Sequence, residues 1–255
     1  VQDYLGMHGF PIVTTPWFKE DAPVMLLTQA SAYDEDIISK LEQYVASGHK
    51  AIVTSGFVKA TLDKGLKSMT SIRDRDRKAT VREYAAEASR YYNRWERTYG
   101  PSDVTVHVLE FRNNSTWGAV CKGIAAEEAY TLFALDTYGK GQLYTLVIPE
   151  SFSDIKNYPN LILNRMRKEF SVNGIYIEGD PMISLFAYDN DTFVIYPYAD
   201  ATTKDSDIYL HIANAKAIED LSTGTVVKPL YEENGESVFC IRATVGKFRG
   251  YKIQR

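Results

Sequence analysis

The first third of the chain carries apolar and polar positions in the order expected for alternating strands and helices. The mainly apolar run APVMLLTQAS (22–31) predicts a strand buried on both faces. The segment YDEDIISKLEQYVASG (33–48) predicts an amphipathic helix, KAIVTSG (50–56) a second strand, and FVKATLDKG (57–65) a short helix. Two strands joined through a helix predict a parallel pair with a right-handed crossover.

The ends of these two helices are marked by capping residues. Asp34 is the predicted N-cap of the first helix, where nearby acids favour the positive helix end. Gly48 and Gly65 are expected to end the two helices, because glycine readily adopts the left-handed conformation found there. The apolar positions of the first helix share one face: Ile37, Ile38, Leu41, Tyr44 and Val45.

Residues 71–100 have a different sequence pattern, because charges of both signs alternate in a stretch rich in Ala, Arg and Glu. This pattern favours a solvated helix or charged insertion over a surface that binds nucleic acid or lipid. Strand patterns return with VTVHVLEF (104–111), and NLILNRMRKEF (160–170) predicts a final helix.

Beyond residue 180, short strand-like segments alternate with turn clusters such as DND, STG and ENGE. Their spacing predicts a small antiparallel β-sandwich. We therefore expect two domains. Residues 1–180 would form an α/β, flavodoxin-like layer with a mainly parallel sheet, carrying 71–100 as its insertion, and residues 181–255 would form the sandwich.

The composition and net charge limit the kinds of partner that the chain is expected to bind. The 255 residues carry a net charge of −4, which argues against a phosphate-backbone partner. No apolar run approaches the roughly 20 residues of a membrane span. Nothing indicates a cofactor.

Cys121 and Cys240 lie in apolar runs, where two buried free thiols are favoured over one disulfide. A chain that begins with Val and shows no signal peptide is expected to be a mature or excised fragment.

Ser55 is the first candidate for chemistry, because Thr54-Ser55-Gly56 stands where a strand turns into a helix. A nucleophile elbow needs small residues on both sides of the serine, and here only one flank is small. The four histidines are scattered, and none is paired with an acid in a recognisable motif. Ser55 is therefore expected to cap the helix beginning at Phe57, and it remains only a weak catalytic candidate.

Two further sets of side chains could bind a ligand. Asp189 and Asp191 offer oxygen ligands for calcium, but their D-N-D sequence is also a good turn. It lacks the glycine and distal glutamate of an EF-hand loop, so a turn is favoured. Trp95, Tyr99 and Trp117 are the candidates for carbohydrate contact, with a partly buried structural role as the alternative for each.

The segment PVMLLTQASAYDEDIISKLEQYVASGHKAIVTSG (23–56) resembles the glutamine-amidotransferase-like trimerisation domain of family 42 β-galactosidases. Leu41, Tyr44, Val45 and Gly48 stand in matching order. YGKGQLYTLVIPES and NLILNRMRKEF resemble the closing strands and terminal helix of such domains. The ladder after residue 180, with its DLSTG turn, resembles the C-terminal sandwich that follows. The resemblance implies that the catalytic acids lie in an upstream barrel outside this chain.

The resemblance implies a non-catalytic accessory or assembly region of a larger, secreted, periplasmic or cell-surface glycan-processing protein. Its partners would be the upstream catalytic domain or sister subunits. Two alternatives stay open. One is a hydrolase that acts at the strand-end crevice near Ser55, since open α/β sheets bind ligands there. The other is a surface glycan-binding module that presents Trp95, Tyr99 or Trp117 as a flat platform.

Overall fold

A computed structural model describes residues 1–112, 118–171, 174–200 and 203–255. The chain divides into two compact units. The first comprises Val1 and Thr15–Ile162, and the second comprises Gln2–Thr14 and Leu163–Arg255. The helices are α1 (Gln2–Met7), α2 (Ile37–Ala46), α3 (Ser55–Thr61) and α4 (Asn160–Glu169). Short 3₁₀ turns cover Gln29–Tyr33, Leu62–Lys64, Leu66–Ser68 and Phe152–Asn157.

The first unit contains one seven-stranded mixed sheet. Its strands are β1 (Val24–Leu27), β2 (Lys50–Thr54), β3 (Ile72–Ser89), β4 (Arg94–Phe111), β5 (Ala119–Ala125), β6 (Glu128–Tyr138) and β7 (Gly141–Leu146). They lie in the order β1-β2-β7-β6-β5-β3-β4. Only β1, β2 and β7 run parallel, and every other neighbouring pair is antiparallel. The predicted flavodoxin-like, mainly parallel layer is therefore wrong.

The largest departure from the sequence prediction is the segment 71–100, which forms most of a long hairpin and no helix. Strands β3 and β4 are 18 residues each and pair antiparallel. The abundant Ala, Arg and Glu favour a helix locally, but pairing lets Val81, Tyr84 and Ala86 bury their side chains. Tertiary burial thus overrides local propensity, and the charged side chains stay at exposed or partly buried positions of the strands.

The β-α-β unit predicted near the start is confirmed, since β1 pairs parallel with β2 and α2 lies between them. Gly48 follows α2 with φ 117°, as expected, and Gly65, with φ 125°, ends the 3₁₀ turn Leu62–Lys64 that follows α3. The predicted N-cap of the first helix is displaced by two residues. The N-cap of α2 is Asp36, while Asp34 accepts hydrogen bonds from the Asp36 N–H and from Lys40.

The second unit contains two antiparallel sheets, as the turn-rich sequence beyond residue 180 predicts. Its strands are β8 (Ile175–Glu178), β9 (Ile183–Ala187), β10 (Thr192–Pro197), β11 (Ser206–Ala213), β12 (Ala217–Asp220), β13 (Val226–Val227), β14 (Tyr231–Glu233), β15 (Glu236–Ala243) and β16 (Arg249–Gln254). The sheet orders are β13-β12-β16-β10-β9 and β14-β15-β11-β8. Both sheets contribute to one core, for example Phe193 and Tyr251 from the first and Leu210 and Phe239 from the second.

A buried arginine ties segments of the second unit together. Arg167 of α4 donates from Nε to the His8 carbonyl at 2.7 Å, from Nη1 to the Gly179 carbonyl at 2.8 Å and from Nη2 to the Asp180 carbonyl at 2.9 Å. Burial lowers the pKa of Arg167 from its ordinary value, but the carbonyls satisfy the guanidinium donors. The side chain therefore acts as a polar clamp inside an otherwise apolar region.

Candidate functional site

The clearest candidate for a ligand site is an open groove on the first unit, which we call the Tyr99 groove. Its volume is about 560 Å³. Its lining comes from four antiparallel strands, β3, β4, β5 and β6, and from the turn between β5 and β6. The lining side chains that can bind a ligand are Arg82 and Glu83 of β3, Arg97, Tyr99 and Asp103 of β4, and Glu127 of the turn.

The floor of the groove joins an aromatic ring to an ion pair. Tyr99 is 71% exposed, so its ring is largely open to solvent. Arg97 and Tyr99 are two residues apart on β4 and therefore project from the same face of the sheet. On β3, Glu83 receives Arg97 Nη1 at 3.3 Å and the Tyr99 hydroxyl at 3.5 Å. Glu83 thereby holds a guanidinium and a phenol side by side.

One wall of the groove is created by a break in the β3–β4 ladder. Val81 pairs with Val104 and Glu83 with Tyr99, so residues 100–103 of β4 stand opposite Arg82 alone. The Arg82 guanidinium donates to the Pro101 carbonyl within this bulge. A bulge bends a strand and redirects its side chains, and here it places the exposed Asp103 at the groove.

The opposite wall is a strained two-residue turn. Ala125 pairs with Glu128, and the two residues between them, Ala126 and Glu127, have φ values of 48° and 66°. Such a turn normally carries Asn-Gly, because a Cβ atom disfavours the left-handed conformation by roughly 1–2 kcal/mol per residue. Strain of this kind often accompanies functional positions, and Glu127 here is exposed at the groove.

Trp95 lies on the same face as Tyr99, four residues earlier on β4, but it is not an open platform. The Lys122 ammonium sits 3.8 Å from the centre of the Trp95 ring, and the indole N–H donates to Asn93. Partial burial lowers the pKa of Lys122, while the charge of Glu87 opposes that shift. One face of the Trp95 ring is therefore occupied by a cation. Trp117 lies outside the described residues.

Ser55 has a structural environment. Its hydroxyl is buried and accepts a hydrogen bond from the Ile148 N–H at 3.3 Å. The expectation that Ser55 caps a helix from Phe57 is wrong, since α3 begins at Ser55 itself. Thr54 is the N-cap, and its hydroxyl accepts from the Phe57 N–H at 3.3 Å.

Asp189 and Asp191 lie beside a hollow of about 490 Å³ in the second unit. Arg255 Nε lies 2.9 Å from Asp191 Oδ1, so this carboxylate has a cationic partner. Asp191 adopts φ 58°, typical of a residue in a turn. In the described ranges, no three His, Cys, Asp or Glu side chains are grouped closely enough to hold a metal ion.

A second titratable cluster lies on the sheet that contains β8, β11 and β15. His211 stacks on Tyr176 with ring centres 4.4 Å apart, and Tyr176 donates to Glu236 at 3.0 Å. The two His211 ring nitrogens lie 3.6 Å from Glu178 and from Glu236. The rings of Tyr176 and His211 are both buried, while the two carboxylates remain partly exposed.

Both cysteines are free thiols, and Cys121 is buried as expected while Cys240 is exposed. None of the helices in the described parts of the chain has the length and apolar character that a membrane crossing requires.

Tyr99 and its neighbour Trp95 were predicted from the sequence, whereas Glu83, Arg97, Asp103 and Glu127 were not. The signal for Arg97 was present, because Trp95, Arg97 and Tyr99 alternate with polar residues at the period of a strand. The carboxylates reach the groove through pairing of strands distant in sequence and through the bulge, which a single sequence does not reveal.

Two family models match parts of the chain. Residues 174–252 match the family model for "Probable glycosyl hydrolase, C-terminal domain". The chain is therefore related to glycoside hydrolases. Residues 1–151, more than half of the chain, match the model described as "Uncharacterized protein SSO3021, second domain", and the chain belongs to that family. These matches support the glycoside-hydrolase part of the resemblance and not its amidotransferase-like part. No curated protein matches the chain in sequence.

Several solved structures are similar in part. A catalytic mutant of Gan42B, a GH42 β-galactosidase from G. stearothermophilus, aligns with TM-score 0.46 at 14% identity, covering 99% of this chain and 35% of that one. An α-L-fucosidase isoenzyme 2 from Paenibacillus thiaminolyticus aligns with TM-score 0.44 at 10% identity, covering 91% and 40%. A β-galactosidase from Bacillus circulans sp. alkalophilus aligns with TM-score 0.41 at 12% identity, covering 95% and 36%. The chain thus spans well under half the length of these proteins.

Proposed function

We propose that this chain is a non-catalytic accessory and assembly region of a larger glycan-processing protein, and that it contacts glycan through the Tyr99 groove. The observation that carries the proposal is the exposed Tyr99 ring standing beside the Arg97–Glu83 pair. A pyranose ring has an apolar face of C–H groups that packs on an aromatic ring. Its rim of hydroxyls bonds to carboxylates and guanidinium groups. The groove offers both kinds of contact on one surface.

The family matches add support, because one of them is a C-terminal domain of a probable glycosyl hydrolase. The environment of Ser55 favours a non-catalytic role, since its hydroxyl is buried and bonded to the backbone of Ile148. A nucleophile would instead need a base within hydrogen-bond reach and an approach for substrate.

Calorimetric titration of the full chain with neutral β-linked oligosaccharides, including galacto-oligosaccharides, tests glycan contact. Tyr99→Ala is expected to weaken binding roughly three- to tenfold, the usual value of one aromatic stacking contact. Tyr33→Ala is the matched control, since Tyr33 is 90% exposed and does not line the groove. Absence of saturable binding, or equal losses in the two variants, would overturn the proposal.

The proposal that the chain has no catalytic activity of its own is tested separately, with nitrophenyl glycosides as substrates. We expect no turnover above the uncatalysed rate. Turnover that disappears in Ser55→Ala would show that the chain is an enzyme and that the strand-end crevice is its active site.

A further inference from the structure

We propose that the Tyr99 groove selects glycans by charge, taking neutral and amino sugars and excluding acidic ones. This inference rests on the proposed function and names the ligand class for the same groove. Three carboxylates, those of Glu83, Asp103 and Glu127, line the groove against the two guanidinium groups of Arg82 and Arg97. Three negative and two positive groups give these five lining side chains a formal charge of −1.

Both cations already have partners. Arg97 Nη1 lies 3.3 Å from Glu83 Oε1, so the nearest counter-ion of this guanidinium is built into the floor. Arg82 Nη2 donates to the Pro101 carbonyl at 3.4 Å. An acidic sugar that approached Arg97 would have to compete with the carboxylate of Glu83. The arginines thus shape the groove more than they attract an anion.

Two of the carboxylates are unpaired. Asp103 stands on the bulge wall and Glu127 on the turn wall, and both are exposed. Within the part of the chain that the structure describes, neither makes a hydrogen bond or an ion pair. An ionised carboxylate can only accept hydrogen bonds. Sugar hydroxyl and ammonium groups supply the missing donors, whereas a second carboxylate or a sulfate adds repulsion.

The aromatic ring of the groove favours the same ligands. The face of a tyrosine ring attracts a cation through its quadrupole, and Tyr99 presents an open ring. On the same face of the sheet, the Lys122 ammonium already sits over Trp95 at 3.8 Å. That contact shows that this surface accommodates an ammonium group on an aromatic ring.

Three methyl β-galactosides test the inference: the neutral sugar, a derivative with an amine at C2, and a derivative with a carboxylate at C6. Their affinities for the full chain would be measured by NMR titration at low salt. The amine is expected to bind roughly three- to tenfold more tightly than the neutral sugar, and the carboxylate more weakly by a similar factor. Raising the salt to about 0.5 M should compress both differences, because exposed charges are screened.

The double variant Asp103→Asn/Glu127→Gln supplies the decisive comparison. The ratio of amine to carboxylate affinity should fall towards one in this variant. Glu35→Gln, which removes an exposed acid outside the groove, should leave the ratio unchanged. Equal affinities for the three sugars, or a ratio that survives in the double variant, would overturn the inference while glycan contact stands. If none of the three sugars binds, glycan contact fails with it.

Discussion

Arg97 of β4 and Glu83 of β3 meet across the antiparallel ladder with Nη1 and Oε1 3.3 Å apart, directly beside the exposed ring of Tyr99. The pair is a surface ion pair, since the Arg97 side chain is 67% exposed. Pairs of this kind contribute little to folding. Its significance is positional: it fixes a hydrogen-bonding guanidinium and a carboxylate next to an aromatic ring.

Glu83→Gln separates positioning from stability. The free energy of unfolding should change by less than about 1 kcal/mol, because the pair is largely exposed. Affinity for a neutral oligosaccharide should fall roughly threefold or more, since Arg97 and Tyr99 lose a charged partner. Urea denaturation and calorimetry would measure the two quantities. Glu96→Gln serves as the control, because Glu96 is an exposed acid on β4 that does not line the groove. Unchanged affinity in Glu83→Gln would contradict this account of the floor.

The strained turn after β5 predicts a stabilising substitution. Ala126→Asn should raise the free energy of unfolding by about 0.5–1 kcal/mol, because Asn tolerates the left-handed conformation that Ala126 adopts. Ala129→Asn, in strand β6 nearby, should be neutral or destabilising, since Asn is disfavoured in strands. Equal effects of the two substitutions in thermal and urea unfolding would show that the turn is unstrained.

The bulge that carries Asp103 depends on Gly100. A Cβ atom at this position would lie 2.8 Å from both the Asn157 carbonyl oxygen and Tyr84 Cε2. Gly100→Ala should therefore destabilise the chain by about 1–3 kcal/mol. Gly6→Ala is the control, because a Cβ there meets nothing within 4 Å. Similar unfolding midpoints for the two variants would mean that the bulge has room to relax.

Arg167 is expected to be the most sensitive charged position in the second unit. Arg167→Met removes the donors from the carbonyls of His8, Gly179 and Asp180, and should cost about 3–5 kcal/mol. The exposed, ion-paired Arg242 provides a matched control, for which Arg242→Met should cost less than about 1 kcal/mol. Chemical denaturation checks both, and a small effect at Arg167 would contradict its role as a clamp.

Glu178 predicts part of the acid sensitivity. The contact with His211 holds the pKa of Glu178 below its ordinary value of 4.5, against the opposing effect of burial. A lowered carboxyl pKa stabilises the fold above the unfolded-state pKa, and this contribution is lost as pH falls through the folded-state pKa. Glu178→Gln should therefore flatten the decline in stability below about pH 5. The measurement is the urea midpoint as a function of pH. Glu232→Gln, which replaces an exposed acid, should leave the slope of that dependence unchanged. If the slope is the same in Glu178→Gln as in Glu232→Gln, the prediction is contradicted.

The sequence predicted those elements whose signals are local. The helix α2 follows from five apolar residues on one face and from Gly48, and the parallel β1–β2 pair follows from the helix between two apolar strands. The hairpin of β3 and β4 was missed because its Ala, Arg and Glu residues favour a helix. Only pairing with β5 and burial of Tyr84 make the extended form the better choice.

The groove was accessible to sequence reasoning only in part. Tyr99 could be selected as an aromatic residue in a polar segment. Glu83 and Glu127 could not be placed beside it, because their positions depend on strand register and on a turn that has no glycine. Asp103 depends on a bulge that shifts the register by several residues. Such long-range relations are set by the sheet as a whole.

The most direct test of the central claim is to map the glycan contact on the protein. Amide chemical shifts of the full chain would be followed while a neutral β-galactobioside is added. We predict saturable shifts concentrated at Glu83, Arg97, Tyr99 and the Ala126–Glu127 turn, and in Tyr99→Ala the same shifts should need roughly three- to tenfold more glycan to saturate. Shifts that cluster around Ser55 instead, or no saturable shifts with any neutral glycan, would contradict it.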